Sequence, residues 1–158
     1  MIRVGVTGLR DVSDFDLPRL ENSIRAVLQK YRDEHGQSIM LNSIAAGADQ
    51  LCAEIGLSLG YELVCPLPFA EYRDDFNGEQ RKRFDSLIRK SSKTLVVSDS
   101  ANRDAAYFAA GRYIVEHCDV LLAIWDYRPQ TSICGTAAVV AYAQSLGKEI
   151  VTVPGNRS

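Results

Sequence analysis

Apolar positions along the chain recur with two periods, and the elements they predict alternate. Ile2 to Thr7 form a short β-branched run that stops at Gly8, the pattern of a buried strand meeting a tight turn. After a loop, Asp16 stands as a helix cap with Pro18 in the first turn. Leu17, Leu20, Ile24, Val27, Leu28 and Tyr31 then follow at three- and four-residue steps up to Gly36. Ile39 to Ile44 reads as a second strand, and Ala46-Gly47-Ala48-Asp49 opens a helix with Leu51, Cys52, Ile55 and Leu59 on one face. Tyr61 to Cys65 makes a third strand, stopped by Pro66.

The alternation is interrupted by a polar stretch from Phe69 to Gly78 and then resumes. A charged helix is expected around Glu79 to Lys90, a strand at Thr94 to Ser98, a helix from Asp104 to His117, and a continuous apolar strand from Val120 to Trp125. A loop containing Pro129, Ser132 and Cys134 leads to a helix starting at Gly135-Thr136-Ala137, and Glu149 to Val153 supplies a last strand. Strands alternating with helices at this spacing imply parallel βαβ units with right-handed crossovers. The expected fold is α/β: a three-layer Rossmann-like sandwich, with a mostly parallel sheet flanked by helices on both faces. One domain covers residues 1–155, and residues 156–158 read as a loose tail.

Composition narrows the chemistry. The 158 residues are 46% hydrophobic and 24% charged, ordinary for one globular domain. Eighteen Lys and Arg against 20 Asp and Glu give a net charge of -2, so no global positive field exists to hold a phosphate backbone, and duplex nucleic acid is not an expected partner. No apolar run is long enough to cross a bilayer, so no membrane partner is expected and the location implied is cytoplasmic. Cys52, Cys65, Cys118 and Cys134 have no C-x-x-C spacing and lie in or beside apolar segments, as reduced thiols would. The two histidines, His35 and His117, stand at helix ends, where imidazoles suit the last-turn carbonyls. No metal motif is visible; the only ion foreseen is a magnesium carried in by phosphates.

In an open parallel sheet, ligands bind beyond the carboxyl ends of the strands. Four segments fall there. In the first, Thr7-Gly8-Leu9-Arg10-Asp11, Gly8 permits close backbone approach, and Arg10 either contacts an anionic oxygen or pairs with Asp11 or Asp14. In the second, Ser43 to Asp49, small residues at Ala46, Gly47 and Ala48 leave room for phosphate or ribose at a helix N-terminus; Asp49 either accepts from sugar hydroxyls or complements the helix dipole. In the third, Pro68, Phe69, Glu71 and Tyr72 combine a rigid turn, two rings that could stack on a base or simply pack, and a carboxylate. In the fourth, Asp126 ends the apolar strand as turn former or ligand contact, and the amides of Gly135, Thr136 and Ala137, with the Thr136 hydroxyl, suit phosphate.

Read together, these segments resemble the SLOG superfamily, the Rossmann-like group that includes the LOG phosphoribohydrolases, the DNA-processing protein DprA and nucleotide-sensing domains. The carriers are Val6-Thr7-Gly8, Ala45 to Leu51, Pro66-Leu67-Pro68-Phe69, Ala110 to Val115, and Asp119 to Asp126 followed by Gly135-Thr136-Ala137. The resemblance implies phosphate contacts at Gly47 and at Gly135 with Thr136. The chain departs from the LOG pattern, with Val139 where those enzymes carry a glutamate and Ala110 near the place of their arginine, so the LOG reaction is not expected. Ser43 replaces a glycine of DprA-like proteins, and Ser132-Ile133-Cys134-Gly135 is poor in glycine.

The function expected is binding of a nucleotide or nucleotide-derived ligand, with phosphate on helix N-termini. The alternative is an N-glycosidic hydrolase or transferase, with Glu71 or Asp126 as the carboxylate near the anomeric carbon. Tyr107, Phe108, Tyr113 and Ile114 spread around more of their helix than one buried stripe needs. That pattern suits a homodimer, or a helix enclosed between the sheet and the charged Glu79 to Lys90 segment.

Overall fold

The structure, a computed structural model, describes residues 1–125 and 135–153. Asp126, Ser132, Cys134 and the expected tail lie outside them. Among the described residues six strands and five helices alternate: β1 (Ile2–Gly8), α1 (Leu17–His35), β2 (Ser38–Leu41), α2 (Ala48–Ser58), β3 (Glu62–Leu67), a 3₁₀ turn (Tyr72–Asp75), α3 (Gly78–Lys90), β4 (Lys93–Val96), α4 (Arg103–His117), β5 (Val120–Ile124), α5 (Thr136–Ser145) and β6 (Glu149–Val153). The sheet order is β4-β3-β2-β1-β5-β6, and every pairing is parallel.

The strand pleat divides the core in two. Val4, Val6, Leu122 and Ile124 point to the face covered by α1, α2 and α3, with Leu20, Ile24, Cys52, Ile55 and Phe84 packed there. Leu121 and Ala123 point to the other face, against Ile114 and Val115 of α4 and Val139, Val140 and Ala143 of α5. Burial on both faces is why β5 reads as an unbroken apolar run. Two glycines let α4 sit close: a Cβ at Gly5 would lie 2.7 Å from Ile114 Cγ2, and one at Gly111 would lie 2.7 Å from Val139 Cγ2. Two of the rings on α4 meet other elements of the chain. Phe108 meets Tyr142 of α5 edge-on, and Tyr107 meets Phe69, so the neighbour of α4 on its sheet face is α5 and not the charged α3 segment.

Local chemistry explains the element ends. Asp16 caps α1 by accepting from the Arg19 N–H, and His117 Nδ1 lies 2.7 Å from the Tyr113 carbonyl in the last turn of α4. Cys52, Cys65 and Cys118 are buried free thiols. Pro66 does not stop β3, which runs to Leu67. Along β3 the carbonyls of Leu63 and Leu67 bond toward β4 and that of Val64 toward β2, so Pro66 faces the β2 side. There β2 has already ended at Leu41, and the missing proline N–H costs no ladder bond. The second strand ends at Leu41 rather than Ile44 because Asn42 takes over the backbone, as described next.

Candidate functional site

β1 lies between β2 and β5, and the chain leaves β1 on one side of the sheet and β5 on the other. Loops that diverge in this way leave a crevice at the strand ends. Beside it, Asn42 is fully buried: its amide donates to the Asp49 carbonyl at 2.8 Å, and its Oδ1 accepts from the Ile44 N–H at 2.7 Å. Ser43 adds a hydroxyl bond to the Pro66 carbonyl at 2.7 Å. These contacts hold Ile44 at φ 51°, a left-handed conformation that a β-branched residue rarely adopts.

The turn into α2 is locked onto the β1–α1 loop. Gly47 has φ 83°, and a Cβ there would lie 2.3 Å from the Arg10 carbonyl oxygen. The Ala48 N–H donates to the Leu9 carbonyl at 2.9 Å, and Ala48 is wholly buried. The expectation that Ala48 leaves its amide for a phosphate therefore does not hold, because the neighbouring loop already uses that amide. At Gly8 the approach of α2 is equally close, with 2.5 Å between an added Cβ and the Ala48 Cβ.

The next residue, Asp49, is 8% exposed. Its Oδ2 accepts from the Ala45 N–H at 3.4 Å, while Oδ1 is occluded and has no hydrogen-bond partner among the described residues. Burial pushes the carboxyl up to about 7, against the smaller opposing effects of the Ala45 N–H and the Arg10 charge. The groups around it that titrate, Cys52, Cys65 and Tyr72, are themselves pushed up by burial and by the Asp49 charge, and so stay protonated at neutral pH.

These elements enclose a cavity of about 490 Å³, within the range of small-molecule sites. Eight of the expected site residues are in its wall: Thr7, Gly8, Arg10, Asp49, Pro68, Tyr72, Gly135 and Thr136. Ala46, Gly47, Ala48, Phe69 and Ala137 are not wall residues. Phe69 packs edge-on against Tyr72 and Tyr107 with the Arg103 guanidinium over its ring. Glu71 is exposed at the start of the 3₁₀ turn and outside the wall; Asp126 is outside the described residues. One side of the wall was not foreseen from the sequence as a lining: Tyr107, Ala110, Gly111 and Ile114 of α4, with Val139 of α5. Its signals were the small pair Ala110-Gly111 and the departures from the LOG pattern at Ala110 and Val139.

No protein-family model matches the sequence, and no curated protein matches it. Solved structures do. DNA processing protein A (DprA) of Streptococcus pneumoniae superposes over 99% of the chain with a TM-score of 0.69 at 18% identity, and the chain spans 51% of that protein. DprA of Helicobacter pylori, described for its single-stranded DNA binding mode, gives 0.64 at 15% identity, over 99% of this chain and 68% of its own. The molybdenum cofactor carrier protein of Chlamydomonas reinhardtii gives 0.55 at 19% identity, over 96% and 75%. The chain shares the Rossmann-like α/β fold of these proteins. At these identities the likeness is one of fold, and the chain covers about half of the first of these proteins.

These likenesses also correct one expectation, that of no nucleic acid partner, which was drawn for the duplex from the acidic balance. DprA of H. pylori, a protein with a single-stranded DNA binding mode, shares this fold. Single strands are held by local grooves and stacking, so a net charge of -2 does not exclude them. Among the described residues, no helix is long and apolar enough to cross a membrane, and no group of three or more His, Cys, Asp or Glu could hold a metal ion.

Proposed function

We propose that the cavity binds a nucleotide-type ligand. The observation that carries this reading is the wall itself: a buried carboxyl (Asp49), a cation at the mouth (Arg10) and the Gly135-Thr136 start of α5 all border one hollow of about 490 Å³. The start of α5 offers a positive helix end to a phosphate, with Arg10 as a second anion contact. Asp49 accepts from a neutral donor of the ligand, such as a sugar hydroxyl, and any magnesium arrives on the phosphates. Gly8, Ser43 and Ala45 keep that part of the wall low enough for a sugar to approach. Calorimetric titration with nucleoside mono-, di- and triphosphates and a short single-stranded oligonucleotide tests the reading. Saturable binding that Arg10→Ala weakens about tenfold, the worth of one charge-assisted hydrogen bond, supports it. Silence across the panel rejects it.

One observation favours a second reading, cleavage of an N-glycosidic bond. A carboxyl displaced to about 7 inside the cavity is suited to proton transfer at neutral pH. On this reading Asp49, rather than the exposed Glu71, is the acid that protonates the leaving base. Release of free base from a nucleoside monophosphate, lost in Asp49→Asn and retained in Glu71→Gln, would establish it.

A further inference from the structure

Two arginines sit on two aromatic rings, one pair in the cavity wall and one beside it, and they are held differently. Arg103 lies 4.7 Å over Phe69 and is tied by an ion pair to Asp75. Arg10 lies 4.4 Å over Tyr107, and among the described residues no hydrogen bond or ion pair holds its guanidinium. Tyr107 itself is fixed. Its hydroxyl donates to Asp75, and its ring abuts Phe69 and Tyr72 edge-on, at 5.7 and 6.0 Å between centroids. The result is a rigid ring in the cavity wall, with one face covered, among the described residues, by the Arg10 side chain.

The other rings nearby cannot serve as this face. Tyr72 is 2% exposed and is enclosed by Phe69, Phe76, Phe84 and Tyr107. Phe69 lies outside the wall, under the anchored Arg103. We propose that Tyr107 is the stacking platform for a planar heteroaromatic ring, and that this ring and the Arg10 guanidinium compete for the same face of Tyr107. The inference rests on the nucleotide reading and deepens it, because it makes recognition depend on the base as well as the phosphate. An anionic ligand draws Arg10 off the ring toward its own charge, and the face it leaves accepts the base. A cation over a ring near solvent is a weaker contact than a stacked base, so the exchange is favourable once the anion supplies a new partner for Arg10. A neutral nucleoside offers no such partner and meets a covered ring.

The test compares AMP, GMP, CMP and UMP, the nucleoside of whichever binds most tightly, and ribose 5-phosphate, by calorimetry on the wild type and on Tyr107→Leu, Tyr107→Phe and Arg10→Ala. The best monophosphate is expected to bind about ten- to a hundredfold more tightly than ribose 5-phosphate, the range for one stacked base. Tyr107→Leu should remove that advantage and leave ribose 5-phosphate within about twofold, while Tyr107→Phe keeps the ring and most of the advantage. Arg10→Ala should weaken the monophosphate yet strengthen the nucleoside, because the ring is uncovered. Unchanged thermal unfolding of each variant separates these effects from misfolding. Equal binding of monophosphate and ribose 5-phosphate, or equal losses for both in Tyr107→Leu, would overturn the inference and leave the nucleotide reading standing. Absence of binding by every phosphate compound would overturn both.

Discussion

Asp49 should make the protein less stable at neutral pH than at mildly acidic pH. Its carboxyl titrates near 7 in the folded chain, against 3.8 for the free side chain, because burial disfavours the charged form. Between those two values the folded state holds a proton that the unfolded state has released, so unfolding becomes easier as pH rises through that window. The cost is absent below about pH 4 and complete above about pH 7. At about 1.4 kcal/mol per pH unit, the displacement corresponds to about 4 kcal/mol as an upper figure. Asp49→Asn keeps an acceptor for the Ala45 N–H and removes the charge. Urea unfolding of wild type and variant at half-unit steps from pH 4 to 8 isolates the effect, since groups not coupled to Asp49 cancel in the difference and Cys52, Cys65 and Tyr72, which are coupled to it, stay protonated in the folded chain over this range. The variant should gain progressively on the wild type up to pH 7 and by a constant amount above it. In a chain of this size each kcal/mol also moves Tm by roughly 2–4 °C. A difference that does not change with pH would refute the reasoning.

Other expectations follow from the same geometry. Gly47→Ala combines an unfavourable φ with a Cβ 2.3 Å from the Arg10 carbonyl oxygen and should cost more than about 3 kcal/mol in chemical unfolding, whereas Gly36→Ala, also at positive φ but with open space around it, should cost about 1 kcal/mol. Asn42→Ala leaves the Ile44 N–H without its partner and takes the side-chain donor from the Asp49 carbonyl, and should cost about 1–3 kcal/mol, read from denaturant midpoints at constant m-value. Cys52 and Cys65 are buried with thiols pushed up from their usual range, so a thiol reagent at pH 8 should modify them at the rate of unfolding rather than of mixing.

Much of the architecture was legible in the sequence because it depends on short-range periodicity. Strand-helix alternation fixes parallel pairing, and the caps at Asp16 and Gly36 are read from neighbouring residues. The site was legible only in part. Thr7, Gly8, Asp49, Gly135 and Thr136 are found because strand ends are where a parallel sheet opens. The α4 wall was not, since Tyr107 reaches the cavity only through a crossover that carries the chain from β4 at one edge to β5 beside β1. Ala48 shows the opposite error. Its small side chain looked like room for a ligand, but the space is filled by the Leu9 backbone, and the resulting contact between loop and helix cannot be inferred from either segment alone. The alternation rule also led to Pro66 being read as a strand end, because whether a missing N–H matters depends on where the neighbouring strand stops.

Three features at the end of β2 work against stability, and they adjoin one another. Ile44 holds a left-handed backbone, a conformation that costs about 1–3 kcal/mol. Asp49 holds a carboxyl largely out of water, with one oxygen unpartnered among the described residues. Gly47 holds a positive φ that no other residue would tolerate there. A scaffold selected for packing alone has no use for this combination, since Asn in place of Asp49 would keep the Ala45 contact without the burial of charge. The strain is maintained by Asn42, whose two bonds fix both Ile44 and Asp49, and its effect is to set the Asp49 carboxyl in the wall of the cavity. Stability given up at one place and enforced from a second is what a binding site requires when its polar group must be in position before the ligand arrives. The same reasoning separates Asp49 from Glu71: an exposed carboxylate on a turn costs the fold nothing, so its position carries no comparable argument for function.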